Sequence, residues 1–259
     1  MTAPAENVDT ADAGHEVTRG PAIARTHWAW RVQPSSVTLK LIMAATGIVF
    51  ALFVLVHMIG NLKVYTGAAH FDDYAHWLRT LLEPLLPYEG ALWVFRTVLL
   101  GCLIAHVACA VLLTRRAHVA RGRFRRRGLG LGLRSFTART MLVSGLVLLL
   151  FIVFHILDLT VGTQPFASAS FTGTTETASH AYANLIASFS RPGVAVFYLA
   201  AMALLGTHLA HGLWTVVNDL GVTGQRARQV GVALGGALAL AVMVGNMTIP
   251  LAVWIGVVS

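Results

Sequence analysis

Charge is scarce in this chain. Only 12% of its 259 residues are Asp, Glu, Lys or Arg, while 56% are hydrophobic, and the mean hydropathy is +0.69. A soluble fold of this length has nowhere to hide so much apolar surface, so a water-soluble enzyme domain is excluded. Acidic residues are the rarer sign, 11 against 19 basic, for a net charge of +8. That excess does not point to nucleic acid. The basic residues cluster in short stretches between apolar runs, which is how membrane topology is written.

Cysteine is nearly absent. Cys102 and Cys109 lie seven residues apart in one apolar run. On a helix they are about 10 Å apart along the axis, too far for a disulfide. No Cys-x-x-Cys-His occurs, so covalent haem attachment of the c type has no support. Residues 1–39 lack a charged-then-apolar leader. They read as a polar cytoplasmic tail, with Trp28 and Trp30 touching the membrane interface near its end.

What the chain does have is five long apolar runs: 41–62, 91–114, 140–161, 194–217 and 230–258. Each is long enough to span a bilayer, and spans of this length must satisfy their backbone internally. The expected fold is therefore an all-α integral membrane protein, with residues 40–258 forming a five-helix transmembrane bundle. Lys and Arg give the orientation. Arg115, Arg116, Arg121, Arg123, Arg125, Arg126 and Arg127 lie between spans two and three. Arg19, Arg25, Arg31 and Lys40 precede span one, and Arg226 and Arg228 precede span five. These segments should be cytoplasmic, placing the N-terminus inside and the C-terminus outside. The link 63–90 carries Asp72, Asp73, Glu83 and Glu89, and the link 162–191 is nearly uncharged and rich in Ser and Thr. Both should face outward. Residues 71–82 show helical spacing before Pro84, which predicts a short helix lying in the outer interface.

An ionisable group within a span is costly and marks function. His57, His106, His155, His208 and His211 lie within the spans; the first four spans carry at least one each and the fifth carries none. At 1.5 Å per residue, His57 and His155 stand about 25 and 24 Å from the inner edge. His106 and His208 stand about 13 and 15 Å from it. The four form two layers about 10 Å apart, and two imidazoles at one depth can grip a haem iron from both faces. His57 with His155 would hold an outer haem b, and His106 with His208 an inner one. Depth alone leaves His208 and His211 open, because they differ by only about 4.5 Å.

Other in-span polar groups follow the same logic. Arg96 stands near the outer haem level, within reach of a propionate. His211 would serve an inner propionate if His208 is the ligand. Asp158, one turn beyond His155, would carry quinone protons or hydrogen-bond a ligand histidine. Asn61 and Lys63 are candidates for an outer quinone site. Gly47, Gly60, Gly101, Gly145, Gly206 and Gly212 leave room for a macrocycle against the helices.

Four motifs carry a family resemblance: His-Met-Ile-Gly-Asn-Leu at His57, the span-two His106, Phe-His-Ile-Leu-Asp-Leu-Thr around His155, and Thr-His-Leu-Ala-His-Gly-Leu-Trp from Thr207 to Trp214. Over roughly residues 35–258 the chain resembles the cytochrome b subunit of succinate:quinone oxidoreductases and fumarate reductases, of the single-chain, two-haem b558 type. In that family the span-four ligand precedes a Gly-Leu-aromatic step by four residues, a register that implies His208. The resemblance implies two haem b groups, a quinone substrate (menaquinone for this type), an FAD-containing flavoprotein partner and an iron–sulfur partner. It also implies the bacterial plasma membrane, lipid around the bundle and, for the complex, a possible higher oligomer. Dicarboxylate chemistry would reside on the flavoprotein. Single-haem relatives bind quinone near the inner face through a Ser and an Arg before a Thr-Gly step. Lys40 and Ala44 stand at those places before Thr46-Gly47, which argues against an inner site of that type. Two other readings compete: the cytochrome b of a hydrogenase or formate dehydrogenase, and a haem-free transporter or assembly factor.

Overall fold

The computed structural model describes residues 34–122 and 133–259, with side chains over 34–122 and 140–259. Most of the tail 1–39 lies outside the described residues, including Arg19, Arg25, His27, Trp28, Trp30 and Arg31. The basic residues Arg123, Arg125, Arg126 and Arg127 do so too. Ser35–Ser259 form one compact unit, all-helical among the described residues.

Among the described residues seven α-helices follow in order: α1 (Ser36–Asn61), α2 (Ala68–Thr80), α3 (Gly90–Arg121), α4 (Leu133–Ile156), α5 (Ala181–Phe189), α6 (Pro192–Asp219) and α7 (Gln225–Trp254). Five segments among these residues are long and apolar enough to cross a membrane: Ser36–Thr66, Gly90–Arg121, Thr140–Val161, Pro192–Asp219 and Gln225–Trp254. They match the five apolar runs and define a multi-pass membrane protein. Only 6% of the most apolar window of α3 is buried by protein, so nearly all of that helix is left for other surroundings.

Local chemistry sets the helix ends. Ser35 caps α1 through a 3.0 Å bond from the Thr38 amide to its hydroxyl. Past the apolar run, α3 continues through Arg115, Arg116 and His118 to Arg121, so these residues belong to a helix end rather than to a link. Cations suit that terminus, and Gly122, at φ 56°, ends it. The helix expected over 71–82 runs instead from Ala68 to Thr80. It ends before Pro84 because the chain leaves helical angles at Leu81 and Leu82 turns to φ 69°. The last span, expected to reach 258, ends at Trp254 and contains Pro250. The link 162–191 is not all loop, since it contains α5.

The spans alternate in direction. At one end Lys40 pairs with Asp219 at 3.1 Å, Arg116 donates to Ser36, and Arg228 donates to Asn218. At the other end the Tyr182 amide donates to Asp72, Tyr182 Oη donates to the Ser259 carbonyl, and Tyr88 Oη donates to the Thr175 carbonyl. Helices α6 and α7 pack most extensively, while α1 packs on α3, α6 and α7, and α4 packs on α6. Small residues permit the close approaches. Gly231 and Gly235 of α7 meet Val217 and Leu213 of α6, and Gly245 meets Met58 of α1. A Cβ on Gly206 would stand 2.6 Å from Met243 Sδ and 2.9 Å from Met243 Cβ, whereas one on Gly236 would meet nothing within 4 Å. Gly206→Ala should therefore destabilise the α6–α7 pair by about 1–3 kcal/mol, an overpacking cost. Gly236→Ala should leave the melting temperature in detergent unchanged, and equal melting of the two variants would refute this packing.

Candidate functional site: two levels of facing histidines

The in-span histidines reside on α1, α3, α4 and α6. Packing joins α1 to α3, α1 to α6 and α4 to α6; contact between α1 and α4, and between α3 and α6, is at most marginal. Two of the histidines meet across one of those loosely joined pairs. His57 of α1 faces His155 of α4, with ring centroids 5.8 Å apart and planes at 85°. His57 is exposed in the chain on its own.

Three of the four rings are held on one edge. His106 Nδ1 lies 3.0 Å from Thr46 Oγ1, which also lies 2.8 Å from the Ile42 carbonyl. His208 Nδ1 lies 3.0 Å from Ser144 Oγ, itself 3.0 Å from the Met141 carbonyl. A carbonyl only accepts, so each hydroxyl spends its single proton there and receives the ring Nδ1–H. His155 Nδ1 lies 3.3 Å from Tyr198 Oη, which donates to Asp158 Oδ2 at 3.0 Å. The carboxylate likewise takes the phenol proton, and Nδ1–H of His155 points at the phenol oxygen. All three rings therefore leave the Nε2 lone pair free. His57 has no hydrogen bond among the described residues and is stacked on Phe53, with centroids 5.4 Å apart. Phe151 stacks on His155 at 5.7 Å.

This arrangement fits a bis-histidine haem. With metal–nitrogen bonds of about 2 Å, two axial imidazoles place their centroids roughly 6 Å apart. A hydrogen-bonded Nδ1 that fixes the tautomer is the usual support for a ligating histidine. Gly47 and Gly145 back the inner level: a Cβ at either would stand 3.7 Å from His106 Cε1 or 3.5 Å from His208 Cε1. Gly60 and Gly206 face Tyr74 and Met243 instead, and so serve helix packing. Among the described residues no three His, Cys, Asp or Glu side chains converge to hold a metal ion. A porphyrin iron asks only two.

His211 occupies a different place from His208. It lines a groove of about 370 Å³ between α6 and α7, with Thr207, Trp214, Gly236 and Met243, and lies beside the Trp214 ring. Arg96 pairs with Glu89 at 3.1 Å and lies over the Trp93 ring; Glu89 also receives Arg79 at 3.1 Å. Asn61 ends α1, and Lys63 lies over the Tyr74 ring at 5.2 Å in the 3₁₀ turn Leu62–Thr66. Desolvation pushes the Tyr74 phenol above its ordinary value.

Asp158 is a buried carboxylate. It is 1% exposed and sits in the π-helical segment Leu157–Val161 that continues α4. Arg191 Nη2 reaches its Oδ1 at 2.5 Å, while Ser188 Oγ at 2.5 Å and Tyr198 Oη at 3.0 Å donate to its Oδ2. It reaches His155 only through Tyr198. Sequence reasoning missed Thr46, Ser144, Ser188, Arg191 and Tyr198. Two had a signal: Thr46 and Ser144 stand about 9 and 8 Å from the inner edge, a turn below the inner histidines. The apolar spacing of Tyr182, Leu185, Ile186 and Phe189 likewise marks α5.

Comparison with family models, with curated proteins and with solved structures finds no match.

Removal of Arg191 would leave a buried carboxylate without its countercharge. Arg191→Ala should cost about 3 kcal/mol, the low end for a broken buried pair, because Ser188 and Tyr198 still donate. The Arg191→Ala, Asp158→Asn double variant should recover part of that loss. Thermal melts of the wild type, both single variants and the double variant in detergent check this, and strictly additive losses would refute the coupling.

Proposed function

We propose that the chain is the di-haem cytochrome b anchor of a succinate:quinone oxidoreductase in a bacterial plasma membrane. The haem reading rests on one observation. The imidazoles of His57 and His155 face each other from poorly packed helices, and three of the four in-span candidates have Nδ1 taken by a hydroxyl. The choice of complex rests on the motif resemblance around His57, His106, His155 and His208. Bound haem b would supply one-electron transfer across the membrane, from a partner's iron–sulfur cluster to a quinone, menaquinone by the resemblance.

In this reading His57 and His155 hold the outer haem, and His106 and His208 the inner one. Thr46, Ser144 and Tyr198 fix three tautomers and keep Nε2 aimed across the bundle. The end that joins Lys40 to Asp219 faces the cytoplasm, where the basic residues concentrate. There the iron–sulfur subunit docks and carries the FAD-containing flavoprotein. The opposite end, with Asn61, Lys63 and α2, receives the quinone. Arg96 and His211 remain candidates for propionate contacts, although the Arg96 guanidinium already serves Glu89.

Reduced-minus-oxidised spectra of the purified complex test the haem reading. His57→Ala or His155→Ala should remove one haem, and His106→Ala or His208→Ala the other. His211→Ala should keep both, since its ring lines the α6–α7 groove. A spectrum without a haem b band would overturn the reading in favour of a transporter or assembly factor. Co-purification of a flavoprotein and an iron–sulfur protein with succinate-oxidising activity tests the choice of complex. Recovery of hydrogenase or formate dehydrogenase activity instead would overturn it.

A further inference from the structure

The three hydroxyl-held histidines differ in where their hydrogen-bond chains end. Those from His106 and His208 stop at neutral carbonyls, of Ile42 and Met141. The chain from His155 passes through Tyr198 to Asp158, the one that ends on a carboxylate. Arg191 and Ser188 hold that carboxylate in place. The surroundings are dry: Phe151, Phe154, Phe189 and Phe197 ring Tyr198 at centroid distances of 5.1, 6.0, 4.9 and 6.5 Å. In such a medium hydrogen bonds polarise one another strongly.

From this geometry we infer that Tyr198 is a positioning residue, tied to Asp158 and Arg191, that lowers the potential of the outer haem relative to an imidazole left on a neutral acceptor. This rests on the haem reading of the site. The physical chain is short. A carboxylate draws the phenol proton toward itself, so the phenol oxygen becomes a better acceptor. That oxygen draws Nδ1–H of His155 outward, and electron density rises at Nε2. A more electron-rich axial nitrogen stabilises ferric over ferrous iron. His57, with no hydrogen bond among the described residues, does not share this push. The outer level thus has one enriched ligand and one ordinary ligand.

The test is a redox titration of the purified, haem-loaded complex, followed at the haem absorbance. Low-temperature electron paramagnetic resonance of the ferric form runs beside it. The outer haem is the one lost in His57→Ala. Tyr198→Phe preserves the ring among its aromatic neighbours and removes only the phenol oxygen. It should raise the potential of the outer haem, alter its ferric resonance and leave the inner haem unmoved. Asp158→Asn keeps an acceptor but removes the charge, so the shift should have the same sign and be smaller. Ser144→Ala should shift the inner haem alone. Unchanged potentials in both Tyr198→Phe and Asp158→Asn would overturn the inference and leave the haem assignment standing. Equal movement of both haems would overturn it as well, because that is the mark of a general structural change. A wild-type complex without haem would instead remove the reading beneath it.

Discussion

A neutral imidazole has one donor and one acceptor, and hydrocarbon satisfies neither. Five such rings sit within the spans. The donors of three of them are served by packed neighbours. Thr46 on α1 receives His106 of the adjoining α3, Ser144 on α4 receives His208 of the adjoining α6, and Tyr198 on α6 receives His155 of the adjoining α4. His57 and His155 face one another across a pair that does not pack. Close helix contacts thus fix three of the rings.

Much of this was legible in the sequence, for reasons that can be stated. Long apolar runs have few alternatives to spanning helices, so the five spans came through with ends shifted by a few residues. Helix rise is constant, so the depths of His57, His106, His155 and His208 could be reckoned from the flanking basic residues alone. Depth does not give azimuth, however. That is why His208 and His211, one turn apart, could not be separated without a motif register, and why Asp158 could be set beside His155 but not joined to Tyr198. Azimuth depends on how α6 turns against α4 and α7, and close packing at Gly206, Gly231 and Gly235 decides that turn. Basic residues at the end of α3 read as a link because they are polar, although Arg and Ala favour helix and cations suit a helix C-terminus.

The two ends of the bundle are built differently. The Lys40–Asp219 end is joined by short polar contacts between span termini. The other end has α2, α5, a π-helical segment and a buried ion pair. Extra structure there has a physical cause. A carboxylate that is 1% exposed next to an apolar bundle requires several donors, and helix ends are where donors can be gathered. Helix α5 contributes Ser188, and the residue before α6 contributes Arg191. The wider π turn accompanies the site, as such turns often do at functional positions.

The interposed phenol resolves a conflict between two demands on the outer level. A carboxylate bonded directly to Nδ1 of His155 would push hardest on the ring, but it would bring a full negative charge close to whatever the ring binds. In a low-dielectric bundle such a charge acts over many ångströms. On the proposed haem reading Tyr198 would transmit the polarisation, and it sets the charge one side chain further away. Arg191 neutralises most of what is left. The salt bridge at 2.5 Å and the phenol bond at 3.0 Å occupy different carboxylate oxygens, so neither contact displaces the other. The ring therefore meets a polarised acceptor without an unbalanced charge. The inner histidines need no such device, because Thr46 and Ser144 already discharge their protons onto neutral backbone.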